Sequence, residues 1–265
     1  MCSNESTLTL GTSGGAIPPE FQVWQPPIIE SQTANNCVAQ VLSNIMECIE
    51  YQDSGKHIEY SVGYIYGNPA NTTKSGMYPI DACKILLEYG DVERSVWECY
   101  DENPKCRQKY KSEVTDEMHQ KARKIKDYIR IWTLQELQEY MLKYNLPVLI
   151  NAYSEDLGGI GKDLHAVTCY GWNEKGLLFT NSYGTGGIYD TGKGITNFTK
   201  LKEIWGIIPM ERNVPSDIKG RWSEKEIMFL IDKGIVKGYE DGTIRPTQPI
   251  TREEVFVLIS RILSE

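Results

Sequence analysis

A change of texture along the chain constrains its fold more than any other feature. Apolar Val38, Val41, Leu42, Ile45, Met46 and Ile49 recur at helical spacing behind Asn35 and Asn36, a pair suited to capping. A helix is therefore predicted with Cys37 in its first turn. A second is predicted from Ile80 to about Tyr89, stopped by Gly90, and a third over Leu134 to Tyr144. Residues 101–130 are mostly charged and polar and read as a solvated loop with one short helix. Beyond Leu146 the runs become strand-like: Pro147 to Tyr153, His165 to Trp172, and Leu177 to Ser182. Asn173 to Gly176 joins the last two as a hairpin. Helices first and strands afterwards define an α+β domain of two lobes, one helical and one antiparallel β.

The grammar changes again near Glu211 to Ser216, which reads as a linker. Ser223 and Glu226 form one capping-box pattern before Ile227, Leu230 and Ile231, and Thr251 and Glu254 form another before Val255, Leu258, Ile259 and Ile262. Two helices then bracket the turn-rich loop Gly238 to Pro246, a small all-α helix-loop-helix module. About 50 residues make a marginal core, so the module is expected to lean on a neighbour or partner. The expected division is a leader over residues 1–16, a large domain over 17–212 and the module over 213–265. The leader holds Gly11-Thr12-Ser13-Gly14-Gly15, a formal nucleophile elbow, but Pro18 and Pro19 follow where the motif requires a helix.

Charge excludes some partners. The net charge is -8, and residues 213–265 hold 8 Lys+Arg against 9 Asp+Glu, so the acidity belongs to the large domain. No positive field draws the chain to nucleic acid or to anionic membrane. No run of 18 apolar residues occurs, and Met1 to Glu5 lack the basic flank and apolar stretch of a secretory signal. The 7 Cys are an odd number at irregular spacing, which favours free thiols. Cys48, Cys83 and Cys169 lie on apolar faces and read as core. Cys99 and Cys106 are compatible with a loop disulfide or, joined by His119, with a metal site, although their six intervening residues fit no common zinc spacing. No metal and no cofactor is expected.

A cysteine nucleophile works as its thiolate, which a helix N-terminus and an adjacent imidazolium both favour. Cys37 has the first by pattern. His165, at the head of a strand, supplies a candidate for the second, and Asn181, at the end of the next strand, is placed by hairpin pairing to orient the imidazole. A cysteine at a helix start is, by itself, more often a small buried apolar residue. Combined with the His and Asn blocks, the pattern points to catalysis.

These blocks carry a family resemblance. Pro18 to Trp24, Gln32-Thr-Ala-Asn-Asn-Cys37-Val-Ala39, Tyr60 to Tyr66, Leu146-Pro-Val148, His165-Ala-Val-Thr-Cys-Tyr-Gly171 and Phe179-Thr-Asn-Ser-Tyr-Gly184 resemble the papain-like, family C1, cysteine peptidases in their bacterial and phage-type branch. The resemblance implies a papain-like two-lobe fold with Cys37 as nucleophile, His165 as acid/base and Asn181 holding the His ring. It further implies Gln32 as the side-chain donor of the oxyanion hole, and Gly76, Met77 and Leu164 as residues lining the substrate. The sequence departs from the family pattern in four places. Gln32 lies five rather than six residues before the nucleophile, with Ser31 at the usual position. Val38 and Tyr183 replace two Trp, and Ala34 replaces a half-cystine.

Residues 213–265 resemble one S-layer homology (SLH) repeat through Asp217-Ile218, Trp222, Gly234 to Pro246 and Ile250 to Glu254. That resemblance implies binding of an anionic secondary cell-wall polymer, with Arg252 and Trp222 as contacts, and a single repeat, where the family works in threes, implies either a homotrimer of the chain or weakened binding. The expected protein is a cysteine-type peptidase hydrolysing protein or peptide substrates at the cell surface. With no signal peptide visible, a phage-encoded product or release by lysis would account for that location. The alternatives are a noncatalytic surface or virion binding protein and a thiol amidase cutting peptidoglycan stem peptides.

Overall fold

The computed structural model describes residues 16–27, 32, 34–157, 162–181, 197–211 and 213–263. Cys2, the Gly11 to Gly15 motif, Ser31 and Tyr183 lie outside them. The chain divides into two compact units, Met1–Ile49 with Ile58–Met210, and Glu50–His57 with Glu211–Glu265.

In the larger unit, β1 (Phe21–Gln22) precedes α1 (Cys37–Ser54), whose terminal residues from Glu50 group with the smaller unit. The periodic apolar face of α1 is buried as its spacing requires, but so are Gln40, Ser43 and Glu47, which makes α1 a central helix covered on almost every side. Its buried polar groups have partners. Ser43 Oγ donates to Asp91 Oδ2 at 3.0 Å, and Glu47 Oε1 accepts from the Tyr60 amide at 3.3 Å. Burial pushes the Asp91 carboxyl well above the usual carboxylate range, against the hydrogen bonds from Ser43 and Val92. The Asn pair does not cap α1 as expected. Asn36 Oδ1 is buried and accepts no hydrogen bond, while Asn35 Nδ2 donates to Ser75.

Short α2 (Val62–Tyr66), wholly buried, packs against α3 (Pro79–Glu88), and Gly90 at φ 81° ends α3 where expected. Residues 101–130 are a correction. They hold two helices, α4 (Asn103–Glu113) and α5 (Asp116–Lys121), and a strand, β2 (Ile125–Arg130). Pro104 sits in the first turn of α4, Cys106 and Tyr110 pin that helix to the core, and Thr115 Oγ1 caps α5 by accepting from Met118 N. α4 buries only Asn103, Cys106 and Tyr110 and α5 buries no residue, which leaves too little periodicity to read from sequence.

After α6 (Leu134–Tyr144) come β3 (Val148–Tyr153), β4 (Leu164–Asn173), β5 (Gly176–Thr180) and β6 (Glu203–Pro209). All strand pairs are antiparallel, in the order β1-β4-β3-β6-β2 with β5 also on β4. Residues 165–172 of β4 are buried in succession, so this strand has neighbours on both edges and cover on both faces. Pairing of β3 with β6 ends at Leu149 and Trp205, which leaves Ile207 without a strand partner on that side. The Tyr140 hydroxyl of α6 fills the gap, donating to Ile207 O at 2.6 Å and accepting from Ile207 N at 2.9 Å, with its ring on Gly206. Tyr140→Phe strands both backbone groups, and urea denaturation is expected to show a loss of about 1–3 kcal/mol; an unchanged midpoint would remove the hydroxyl from this role.

In the smaller unit, α7 (Glu224–Asp232) and α8 (Arg252–Leu263) flank a turn-rich loop around Ile218, Met228 and Ile235, which are buried. The Thr251 capping box is formed: Glu254 N donates to Thr251 Oγ1 at 3.2 Å and Thr251 N to Glu254 Oε2 at 2.7 Å. The Ser223 box is not. Ser223, at φ -98° and ψ 9°, lacks the extended backbone of a capping residue and makes no side-chain cap, and Glu224 accepts from the Gly220 amide at 2.5 Å.

Candidate functional site

The site grows from the start of α1 and the head of β4. Cys37 is the first residue of its helix and half-buried, and the backbone amides of Ala166, Val38 and Cys37 itself favour its thiolate. Ala166 is the residue that follows His165 in β4. His165 is 1% exposed, and its Nε2 lies 2.7 Å from Asn181 Oδ1. With that nitrogen donating to the amide oxygen, the tautomer leaves Nδ1 as the atom that takes or gives a proton. Asn181 follows Thr180, the rung partner of Thr168, so it approaches His165 diagonally rather than from the opposite rung, and a bulge between Cys169 and Gly171 sets that register.

Burial pushes the Cys37 thiol up, opposed by the three backbone hydrogen bonds, and pushes the His165 imidazole down, opposed by the bond to Asn181. Both shifts favour the neutral pair. A proton moving from sulfur to imidazole creates two opposite charges that stabilise one another, and the helix N-terminus favours the thiolate.

Gln32 is half-buried upstream of Cys37. Gly76 adopts φ 76° and has no heavy atom within 4 Å of where a Cβ would stand, Met77 is half-buried against the core, and Leu164 is 54% exposed beside His165. The structure adds a residue pair with no sequence signal: Asn35 Nδ2 donates to Ser75 Oγ at 2.7 Å, tying the loop before Cys37 to the Gly76 segment. That segment is in turn held to α4, since Asn103 Nδ2 and Arg107 Nη2 donate to Thr73 O at 2.6 and 2.9 Å. Side-chain hydrogen bonds between residues far apart in sequence carry this network, and periodicity records none of them.

His119 is engaged elsewhere, its Nδ1 2.6 Å from Tyr64 Oη and its ring against Tyr110. No grouping of three His, Cys, Asp or Glu suited to a metal ion occurs among the described residues.

In the smaller unit the loop is organised by two carboxylates. Asp217 accepts from the amides of Ile244 and Arg245 at 3.0 and 2.6 Å, and Asp241 accepts from Thr243 Oγ1 at 2.6 Å and Arg245 Nη2 at 2.9 Å. Thr243 and Arg245 together hold the Asp241 carboxyl down to about 2. Arg245 takes the left-handed φ of 55° and lies over the Tyr239 ring at 4.0 Å, so this arginine organises its own loop. Arg252 is exposed at the first position of α8, and Trp222 is 94% exposed.

A helical lobe beside an antiparallel sheet, with a cysteine at a helix start and a histidine on a strand, is the papain-like fold. Xylellain, a cysteine protease from Xylella fastidiosa, superposes with a TM-score of 0.57 at 20% identity, over 74% of this chain and 88% of its own. A procathepsin B from Trypanosoma congolense gives 0.55 at 15% identity, over 74% and 79%. Residues 216–256 match the family model of the S-layer homology domain. There the chain is 49% identical over 47 residues to a cellulosome-anchoring protein of Acetivibrio thermocellus, which is 18% of this chain and 10% of that protein. It is 38% identical over 58 residues to the outer membrane protein SlpA of Deinococcus radiodurans, 22% of this chain and 5% of that one. The chain thus spans a tenth or less of each of these two relatives. The protein has a papain-like cysteine protease fold followed by an S-layer homology domain. No helix among the described residues is long and apolar enough to cross a membrane.

Proposed function

We propose that the chain is a cysteine-type peptidase held at the cell surface by its S-layer homology domain. The observation that carries this reading is the 2.7 Å contact of His165 Nε2 with Asn181 Oδ1 beside a cysteine at the start of a helix. The Cys37 thiol passes its proton to His165 Nδ1 and the thiolate attacks a peptide carbonyl. The Cys37 amide and the Gln32 side chain hold the oxyanion. His165 protonates the leaving amine, and water, deprotonated by His165, opens the thioester. Asn181 keeps the ring aligned through both halves, while Gly76, Met77 and Leu164 line the substrate. Incubation with a peptide library and a thiol-directed epoxide is the test: cleavage and labelling at Cys37 are expected, and an unlabelled Cys37 without cleavage would reject the reading.

Residues 213–265 then bind anionic secondary cell-wall polymer through Arg252, with Trp222 as an apolar contact. The apolar Phe256, Val257, Ile259, Ile262 and Leu263 of α8 are all exposed, which supports association of the module with copies of itself as a homotrimer. Arg252→Ala is expected to weaken sedimentation with purified wall polymer by about tenfold, the scale of one charge-assisted hydrogen bond, with peptide cleavage unchanged. Equal binding by the variant would remove Arg252 from the contact.

A further inference from the structure

Two cysteines outside the site sit together. Cys99, on the segment entering α4, and Cys106, in the second turn of that helix, are 3% and 0% exposed and are both free thiols. Both pack on Gly63 of α2. The backbone N and O of Cys99 occupy the space a Gly63 side chain would need, and Cys106 Sγ lies 3.6 Å from Gly63 O and 3.9 Å from Cys99 O. The Cys99 thiol is also among the groups that push the Cys106 thiol up. The groups acting on Cys48, Cys83 and Cys169, by contrast, include no second cysteine.

We propose that Cys99 and Cys106 are a disulfide-forming pair that closes the loop between them when the chain folds in the presence of a small-molecule disulfide. Cys106 Sγ already lies 3.9 Å from the carbonyl oxygen of Cys99, so the two residues are close enough for side-chain movement to bring the sulfurs to bond length. The oxidant is of the glutathione-disulfide class. One cysteine thiolate attacks it, releasing one small thiolate and leaving a mixed disulfide. The second cysteine thiolate attacks the protein sulfur of that adduct and expels the other small thiolate. The two cysteine protons end on the two released thiols, and the two electrons lost by the pair reduce the oxidant. Burial sets the timing. It raises the Cys106 thiol and closes access, so exchange proceeds while the segment is still open, and the bond resists reduction once the core has closed. This inference does not depend on peptidase activity.

The test uses the full chain carrying Cys37→Ser, refolded with oxidised and reduced glutathione, then denatured and alkylated. That variant retains six of the 7 Cys. Four alkylated thiols are expected, together with a linked peptide pair joining Cys99 to Cys106. Reduction should require denaturant, and the melting midpoint should lie about 5–10 °C above that of the reduced protein. Cys99→Ala in the same background should restore alkylation at Cys106. Should the Cys37→Ser chain refold poorly, the wild-type protein, blocked with iodoacetamide when native and then refolded likewise, gives the same readout. Alkylation at both Cys99 and Cys106, a glutathione adduct remaining on either, or a bond from either to another cysteine would overturn the proposal.

Discussion

Cys37→Ala should lower kcat/KM on a peptide substrate by about 10⁴- to 10⁶-fold, the range seen when a covalent nucleophile is removed and only binding and oxyanion stabilisation remain. The loss is expected in kcat, because the substituted atom takes part in bond making and not in holding the substrate. Folding should survive. Cys37 is half-buried at the first position of an 18-residue helix whose anchoring side chains, Val38, Val41, Leu42, Ile45 and Met46, are untouched, and Ala is the best helix former. A melting curve close to wild type alongside abolished turnover is therefore the expected pair of results. Retained turnover would assign the chemistry to another group, and a collapsed melting curve would mean that Cys37 acts in packing.

The residues of this site were legible for a reason that differs from one to the next. Cys37 stood at the start of a strongly periodic helix, and His165 headed a continuous apolar run, which in the structure is the central strand β4. Asn181 was found by hairpin logic, which located the right strand end but not the rung, because the bulge near Gly171 shifts the pairing. The Asn35 and Ser75 contact left no mark in the sequence, since two exposed polar residues 40 positions apart look like any others. The region 101–130 misled for the opposite reason. Its helices are charged on most faces, with three buried residues on α4 and none on α5, so a reading based on hydrophobic period records solvent exposure and misses the element. The wholly buried α2 escaped in another way, as five residues are too few to show a period. In the smaller unit, both capping boxes have the right letters but only that of Thr251 closes, because the backbone of Ser223 is not extended as a capping residue requires.

Buried α2 also sets the largest stability effect expected in the chain. Gly63→Ala should destabilise the larger unit by about 3 kcal/mol or more, the upper end for overpacking a rigid neighbourhood. A Cβ there would lie 2.6 Å from Cys99 O and comparably close to Cys99 N and Glu98 Oε1. Two of these are backbone atoms, which move only with the chain. The third belongs to a carboxylate that already accepts from the amides of Gly63 and Cys99 at 2.7 Å each, so it cannot swing aside without leaving both donors buried. Gly76→Ala is the matched control, with a different physical cause. Its φ of 76° costs a side chain about 1 kcal/mol, yet no atom lies within 4 Å to be displaced. Urea denaturation of both variants should therefore separate steric from conformational cost by about 2 kcal/mol. Equal losses would mean that the Cys99 segment yields easily, and a segment so loose could not keep the Cys106 thiol beside Cys99.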